Sequence, residues 1–161
     1  MSKIFGIVNI TTDSFSDGGL YLETDKAIEH ALQLVADGAD IIDLGAASSN
    51  PETTEVCVEE EIKRLKPVIK ALKEKGVSIS VDTFKPQVQR FCMEQGVDYI
   101  NDIQGFPYPE VYADLAKSDC KLVLMHSVQR LGTATKVETN PEEVFNSMME
   151  FFKKKIGRAH V

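Results

Sequence analysis

Five short apolar runs in this chain each end on a polar residue, and a helix-like segment follows. Phe5-Gly6-Ile7-Val8 runs into Asn9, and Asp40-Ile41-Ile42 into Asp43. Ser78-Ile79-Ser80-Val81 ends at Asp82, Tyr99-Ile100 at Asn101, and Leu122-Val123-Leu124-Met125 at His126. Short apolar strands alternating with helices mean βα units around a parallel sheet. In such a sheet every strand-end polar group lies at the C-terminal edge, where βα folds place their sites. The pattern therefore gathers Asn9, Asp43, Asp82, Asn101 and His126 around one pocket.

Strands are expected near 3–9, 40–44, 77–82, 98–101 and 121–125. The polar stretch 10–22 is long for a βα connection, where roughly 2–6 residues is usual. Helix one is expected from a Thr24-Asp25 cap, with Ala27, Ile28, Ala31, Leu32 and Val35 as its apolar stripe and Gly38 as its end. Helix two is expected over 55–75, with Pro67 kinking or splitting it. Pro86 opens a third helix that turns Val88, Phe91 and Cys92 inward and ends at Gly96. A short helix covers 109–118, and 127–139 reads as a loop. Asn140 caps the last helix with Pro141 at its first position, and Gly157 ends it after Lys153-Lys154-Lys155. Its face of Val144, Phe145, Met148, Met149 and Phe152 reads as core.

Two architectures fit this order. A flavodoxin-like doubly wound sheet suits ~150 residues, whereas a (β/α)₈ barrel needs about 250. The chain has 161 residues, so length favours the first. The loops oppose it, because Asn9 to Asp17 holds no glycine for a tight phosphate turn. A net charge of −7 argues against a nucleic-acid partner. No apolar run reaches the ~20 residues of a membrane span. The first strand begins too early for a signal peptide, and Cys57, Cys92 and Cys120 fit neither a disulfide framework nor metal-ligand spacing. A cytoplasmic location with free thiols is the expectation.

Asn9, Asp82 and Asn101 all stand beside apolar strand residues. A carboxylate flanked by two amides suits recognition of a flat heterocycle, since each amide both donates and accepts while the carboxylate accepts. The competing reading makes Asp82 a cap acting through Thr83 and Asn101-Asp102 a turn. Ser48, Ser49 and Asn50 can hold an anion by hydroxyls and backbone N–H groups. His126 alone reads as structural.

The run Phe5-Gly6-Ile7-Val8-Asn9-Ile10-Thr11-Thr12-Asp13-Ser14-Phe15-Ser16-Asp17-Gly18-Gly19 closely resembles the N-terminal signature of dihydropteroate synthases. The likeness continues through Asp43-Leu44-Gly45, Ser80-Val81-Asp82-Thr83, Ile100-Asn101-Asp102-Ile103 and Leu124-Met125-His126. The stretches Asp82 to Pro86, Asp102 to Pro107 and His126 to Arg130 resemble the sulfonamide-resistant branch carried on mobile elements. The resemblance implies a (β/α)₈ barrel that joins a pterin pyrophosphate to p-aminobenzoate with Mg²⁺, and a homodimer for the full-length protein. It implies Asn9 as the Mg²⁺ ligand and Ser49 as the contact to phosphate and p-aminobenzoate. Asp82 and Asn101 would bind the pterin edge, with Met125 beside it. Asp82 would also stabilise cationic character at the pterin methylene as pyrophosphate leaves.

The resemblance covers about 3–156; 157–161 resembles no family continuation, and Asn50 stands where the family often has arginine. Three further strands, carrying the pterin-binding lysine and a phosphate clamp, are implied but have no counterpart here. The expectation is therefore a partial barrel of about five βα units, an N-terminal fragment that is inactive and marginally folded. Its first and fifth strands would be unpaired edges, and Val8, Ile42, Val81 and Leu124 would lack opposing layers. The alternative expectation is a pterin- or folate-binding module without synthase activity.

Overall fold

The computed structural model describes residues 2–10, 17–47, 56–127 and 138–159. Five strands form one sheet: β1 (Phe5–Asn9), β2 (Ile41–Gly45), β3 (Ile79–Asp82), β4 (Tyr99–Asp102) and β5 (Lys121–Leu124). Every neighbouring pair is parallel, and the spatial order is β1-β2-β3-β4-β5. A doubly wound sheet reverses its order at a switch point; this sheet adds each strand beside its predecessor, as the staves of a βα barrel do. The order overrides the argument from length, and the sheet is five staves of a barrel.

Alternation divides the strand residues between two faces. On one face Val8, Ile42, Leu44, Ile79, Val81 and Ile100 are buried in a single apolar cluster. That cluster includes Ala27 and Ala31 of α1 (Asp17–Ala36), Leu65, Val68, Ile69 and Leu72 of α2 (Val58–Glu74), and Val88 and Cys92 of α3 (Pro86–Gln95). The expectation of an unfilled barrel opposite fails for Leu124, which packs half-buried against this cluster, and for Val8, Ile42 and Val81. Those three face the helix layer and are fully buried, because the inward-pointing set is the other half of the alternation.

Helix α1 begins seven residues before the expected cap. Thr24 is buried in line with Ala27 and Ala31 at spacings of three and four, so it is one turn of the inner stripe. Val35 is exposed, and Leu34 packs on the core instead. Gly6 sets how near α1 comes to the sheet, since a Cβ there would lie 3.1 Å from that of Ala39 and 3.2 Å from that of Leu34.

Helix α2 is one helix, undivided at Pro67. The carbonyl that loses its partner to the proline is that of exposed Lys63, on the outer face where water reaches it. Gly96, at φ 64°, closes α3 in the left-handed conformation that the expected stop requires.

After β4 comes a 3₁₀ turn (Pro109–Val111) leading into α4 (Tyr112–Leu115). The last helix, α5 (Pro141–Ala159), has the expected cap: Asn140 Oδ1 accepts the N–H of Glu142 at 3.1 Å. It continues through Gly157 instead of stopping there, since a glycine near a helix end weakens the helix by only ~1 kcal/mol. Its apolar face is not a core face either. Phe145 is 58% exposed and Met149 39%. The helix is held at its other end, where Lys155 Nζ donates to the Phe106 carbonyl at 2.6 Å and lies 3.2 Å from the Tyr112 hydroxyl. Lys155 is thus half-buried, while Lys153 and Lys154 are exposed. Among the described residues no helix is long and apolar enough to cross a membrane.

Candidate functional site

The strand register sets the site. Asn9 pairs with Gly45, Gly45 with Asp82, Asp82 with Asn101, and Asn101 with Val123. These residues form one row across the C-terminal edge of the sheet, on the face turned away from the helices. One row below run Ile7, Asp43, Ser80, Tyr99 and Lys121. Within this lower row Asp43 and Ser80 are buried, while Ile7 and Lys121 at its two ends are exposed. The face is deepest at β2 and β3.

Asn9 is exposed, and its Oδ1 lies 3.0 Å from where a Cβ on Gly45 would be. Gly45 thus leaves the space that the Asn9 amide occupies. Asn101 reaches over β3, and its Nδ2 donates to Asp43 Oδ2 at 3.1 Å. Among the described residues the other Asp43 oxygen is buried without a partner, as is Ser80 Oγ beside it.

Asp82 is half-buried at its strand end. Burial first, and then the negative charges of Asp43, Asp102 and Glu61, raise its carboxyl from 3.8 to about 6. Among the described residues neither Asp43 nor Asp82 forms an ion pair with a lysine or arginine. Two acceptors in a half-dry pocket without a paired cation favour a ligand that brings several N–H donors or positive character.

The capping reading of Asp82 does not hold. Thr83 Oγ1 receives the N–H of Lys85, and α3 has no side-chain cap. The turn reading splits between two neighbours. Asp102 does make a turn: its Oδ1 accepts the N–H of Gln104 at 2.7 Å and its Oδ2 that of Phe106 at 3.1 Å. Gln89 Nε2 also donates to Asp102 Oδ2, at 3.0 Å. Burial raises the Asp102 carboxyl, opposed by the bonds from Gln104, Gln89 and Phe106 and by the nearby Lys155 charge. Asn101, one residue earlier, points to the opposite face. This turn holds Gly105 and Phe106 at φ 67° and 54°. Phe106 is buried there, where few non-glycine residues are found.

Met125 follows β5 directly and is 40% exposed. Alternation puts it on the side of Val123 and Asn101. His126 belongs to packing: its Nε2 lies 3.3 Å from Ser147 Oγ, and its ring meets Phe151 edge-on at 5.3 Å. Ser49, with Ser48 and Asn50, lies outside the described residues.

The motif reading missed the partners beneath the row. The strand-end pattern brings Asp43 to the pocket, but only the register shows that it meets Asn101 across a strand. Glu61 and Lys85 were also missed. Lys85 Nζ bonds Glu61 Oε2 at 2.9 Å and the Val56 carbonyl, with both side chains buried behind Asp82. Glu61 falls on the inner side of α2 at helical spacing from Leu65, Val68 and Leu72. That spacing is the one signal that could have marked it.

A family described as "Pterin binding enzyme" matches residues 5–160. The chain belongs to this family. It is 86% identical over 157 residues to a dihydropteroate synthase type-3 of Escherichia coli, a match covering 98% of this chain and 60% of that protein. It is 50% identical over 154 residues to a dihydropteroate synthase type-2 of the same organism, covering 96% of this chain and 56% of the relative.

Solved pterin-binding enzymes share the fold. The dihydropteroate synthase of Anaplasma phagocytophilum with bound 6-hydroxymethylpterin-monophosphate superposes with a TM-score of 0.85 at 36% identity, over 98% of this chain and 61% of that one. The Xanthomonas albilineans enzyme with 4-aminobenzoic acid gives 0.80 at 37% identity, over 98% and 57%. The chain thus spans about 60% of the length of these relatives. Their fold agrees with the barrel-type strand order, and this chain is part of such a barrel.

Proposed function

We propose that this chain carries the pterin-side half of a dihydropteroate synthase site of the sulfonamide-resistant type. The observation that carries the reading is the single row of Asn9, Asp82 and Asn101 on the open face. A pterin presents adjacent N–H donors along one edge, and Asp82 with the Asn101 carbonyl offers adjacent acceptors. As pyrophosphate departs, positive character grows at the pterin methylene, and Asp82 is the negative charge placed to stabilise it. Its carboxyl near 6 leaves it ionised at neutral pH. Met125 provides apolar contact from β5, and Ser49 would touch the phosphate and p-aminobenzoate.

Mg²⁺ enters through Asn9. Among the described residues no group of three or more His, Cys, Asp or Glu can hold a metal. An ion that keeps most of its shell as phosphate oxygens and water needs only one or two protein oxygens, and the exposed Asn9 Oδ1 fits that need. When bound, the metal neutralises charge on the leaving pyrophosphate.

Calorimetric titration with 6-hydroxymethylpterin monophosphate tests the pocket. Binding is expected, with Asp82→Ala and Asn101→Ala each weakening it; unchanged affinity in both would overturn the reading. Incorporation of labelled p-aminobenzoate, with and without a sulfonamide, tests the reaction and its resistance. The same assay on these 161 residues tests the expectation that this span alone is inactive. Preference for a methylated folate over the pterin pyrophosphate would point to a binding module instead.

A further inference from the structure

We propose that Asp43 is a positioning residue that fixes the Asn101 amide with its carbonyl oxygen towards the ligand. The inference rests on the pterin-side reading and goes one residue deeper. Asn101 has two ends that look alike in shape and opposite in chemistry. A carboxylate only accepts, so the end that meets Asp43 Oδ2 at 3.1 Å must be the NH₂ group. The carbonyl end is then left for the open face, beside Asp82 in the same row.

Three features show a built contact. The two side chains come from β2 and β4 and meet over β3, so neither strand neighbour provides the bond. Ser80, the residue paired with Asp43, lies between them with a side chain small enough to leave the path clear. Asp43 itself is buried, and among the described residues its second oxygen has no partner. A buried carboxylate with an unused oxygen holds its one donor firmly, because losing that donor would leave the whole group unsatisfied.

Without Asp43 the amide can turn over and present N–H₂ to the ligand. The pocket would then show an acceptor beside a donor in place of two acceptors. Asp43 therefore sets which ligand edge is accepted, and not merely how tightly.

The test compares 6-hydroxymethylpterin monophosphate with its 2-deamino analogue, which lacks one edge donor, by titration. The unsubstituted chain is expected to prefer the amino compound. Asp43→Asn, nearly isosteric, is expected to bind it ~10-fold more weakly while losing most of the preference. Loss of affinity for both compounds by the same factor, or no loss at all, overturns the positioning role. Unchanged affinity in Asn101→Ala overturns the inference, and unchanged affinity in both that variant and Asp82→Ala overturns the pterin-side reading with it. Should Asp43→Asn fail to fold, proton NMR of the unsubstituted chain decides. Contacts between the Asn101 NH₂ protons and the Asp43 β-protons are expected, and their absence overturns the proposal.

Discussion

The two faces of the sheet are built from the same five strands by opposite rules. The helix side is largely apolar, from Val8 through Ile42, Leu44, Val81 and Ile100 to the stripes of α1, α2 and α3, with Asp102 and Gln89 bonded to each other within it. The open side is graded, apolar and polar by turns, and keeps its polar row for the C-terminal edge. Stability resides on the first face and the proposed recognition on the second. They touch at Asp82, whose carboxyl feels Glu61 from behind the sheet as well as Asp43 from in front.

The largest effect should come from the charged pair buried on the stable side, Lys85 with Glu61. Lys85→Met leaves Glu61 buried and unpaired, and should lower unfolding free energy by ~3–5 kcal/mol. Adding Glu61→Leu should restore most of it in urea titrations. If the single variant melts like the parent, the helix side does not need its ion pair.

Next, Ile42→Ala should cost ~2–5 kcal/mol, as large-to-small changes in a packed core do. Its counterpart Ile7→Ala, on the open face at 63% exposure, should stay within ~0.5 kcal/mol. Equal losses at the two positions would erase the distinction between the faces.

Asp82→Asn should move the two properties in opposite directions. The folded carboxyl titrates near 6, above its unfolded value of 3.8. The folded state therefore holds more protons between these values, and stability falls as pH rises from about 4 to about 6. A shift of that size corresponds to ~3 kcal/mol, reduced to roughly 1–3 by partial exposure. The variant should be that much more stable at pH 7, should lose the pH slope, and should lose pterin binding. An unchanged slope in thermal melts between pH 4 and 7 would show that Asp82 is not strained by its neighbours.

The smallest effect should be Gly45→Ala. Its Cβ displaces Asn9 Oδ1 by a few tenths of an ångström, so stability should barely move while Mg²⁺-dependent binding of a pterin pyrophosphate weakens. Equal affinity with and without Mg²⁺ in the parent would remove Asn9 from the metal role.

The βα alternation and the strand-end residues were legible because period and punctuation are local. Asn140 and Pro141 announced α5, and Pro86 and Gly96 bracketed α3. What was not legible depends on which face a residue takes. Val8, Ile42 and Val81 read as barrel interior, yet a one-residue change of register exchanges the two faces of a strand, and only the paired sheet fixes it. The start of α1 was missed because Thr24 reads equally as a cap and as a stripe residue until its burial is known. Neighbours in sequence can likewise take opposite roles, as Asn101 and Asp102 do. The Asn101–Asp43 bond joins residues fifty-eight positions apart, a distance that no local pattern spans.

The sequential strand order has a consequence for how the chain acquires its shape. Within these five strands each new strand docks on the one made just before it, so none of these four pairings waits for a distant segment. The sheet can therefore lengthen by one stave at a time during synthesis, with each helix covering its strand before the next emerges. Amide exchange measured on the folded chain should keep that history: slowest at β2 and β3, and progressively faster towards β5.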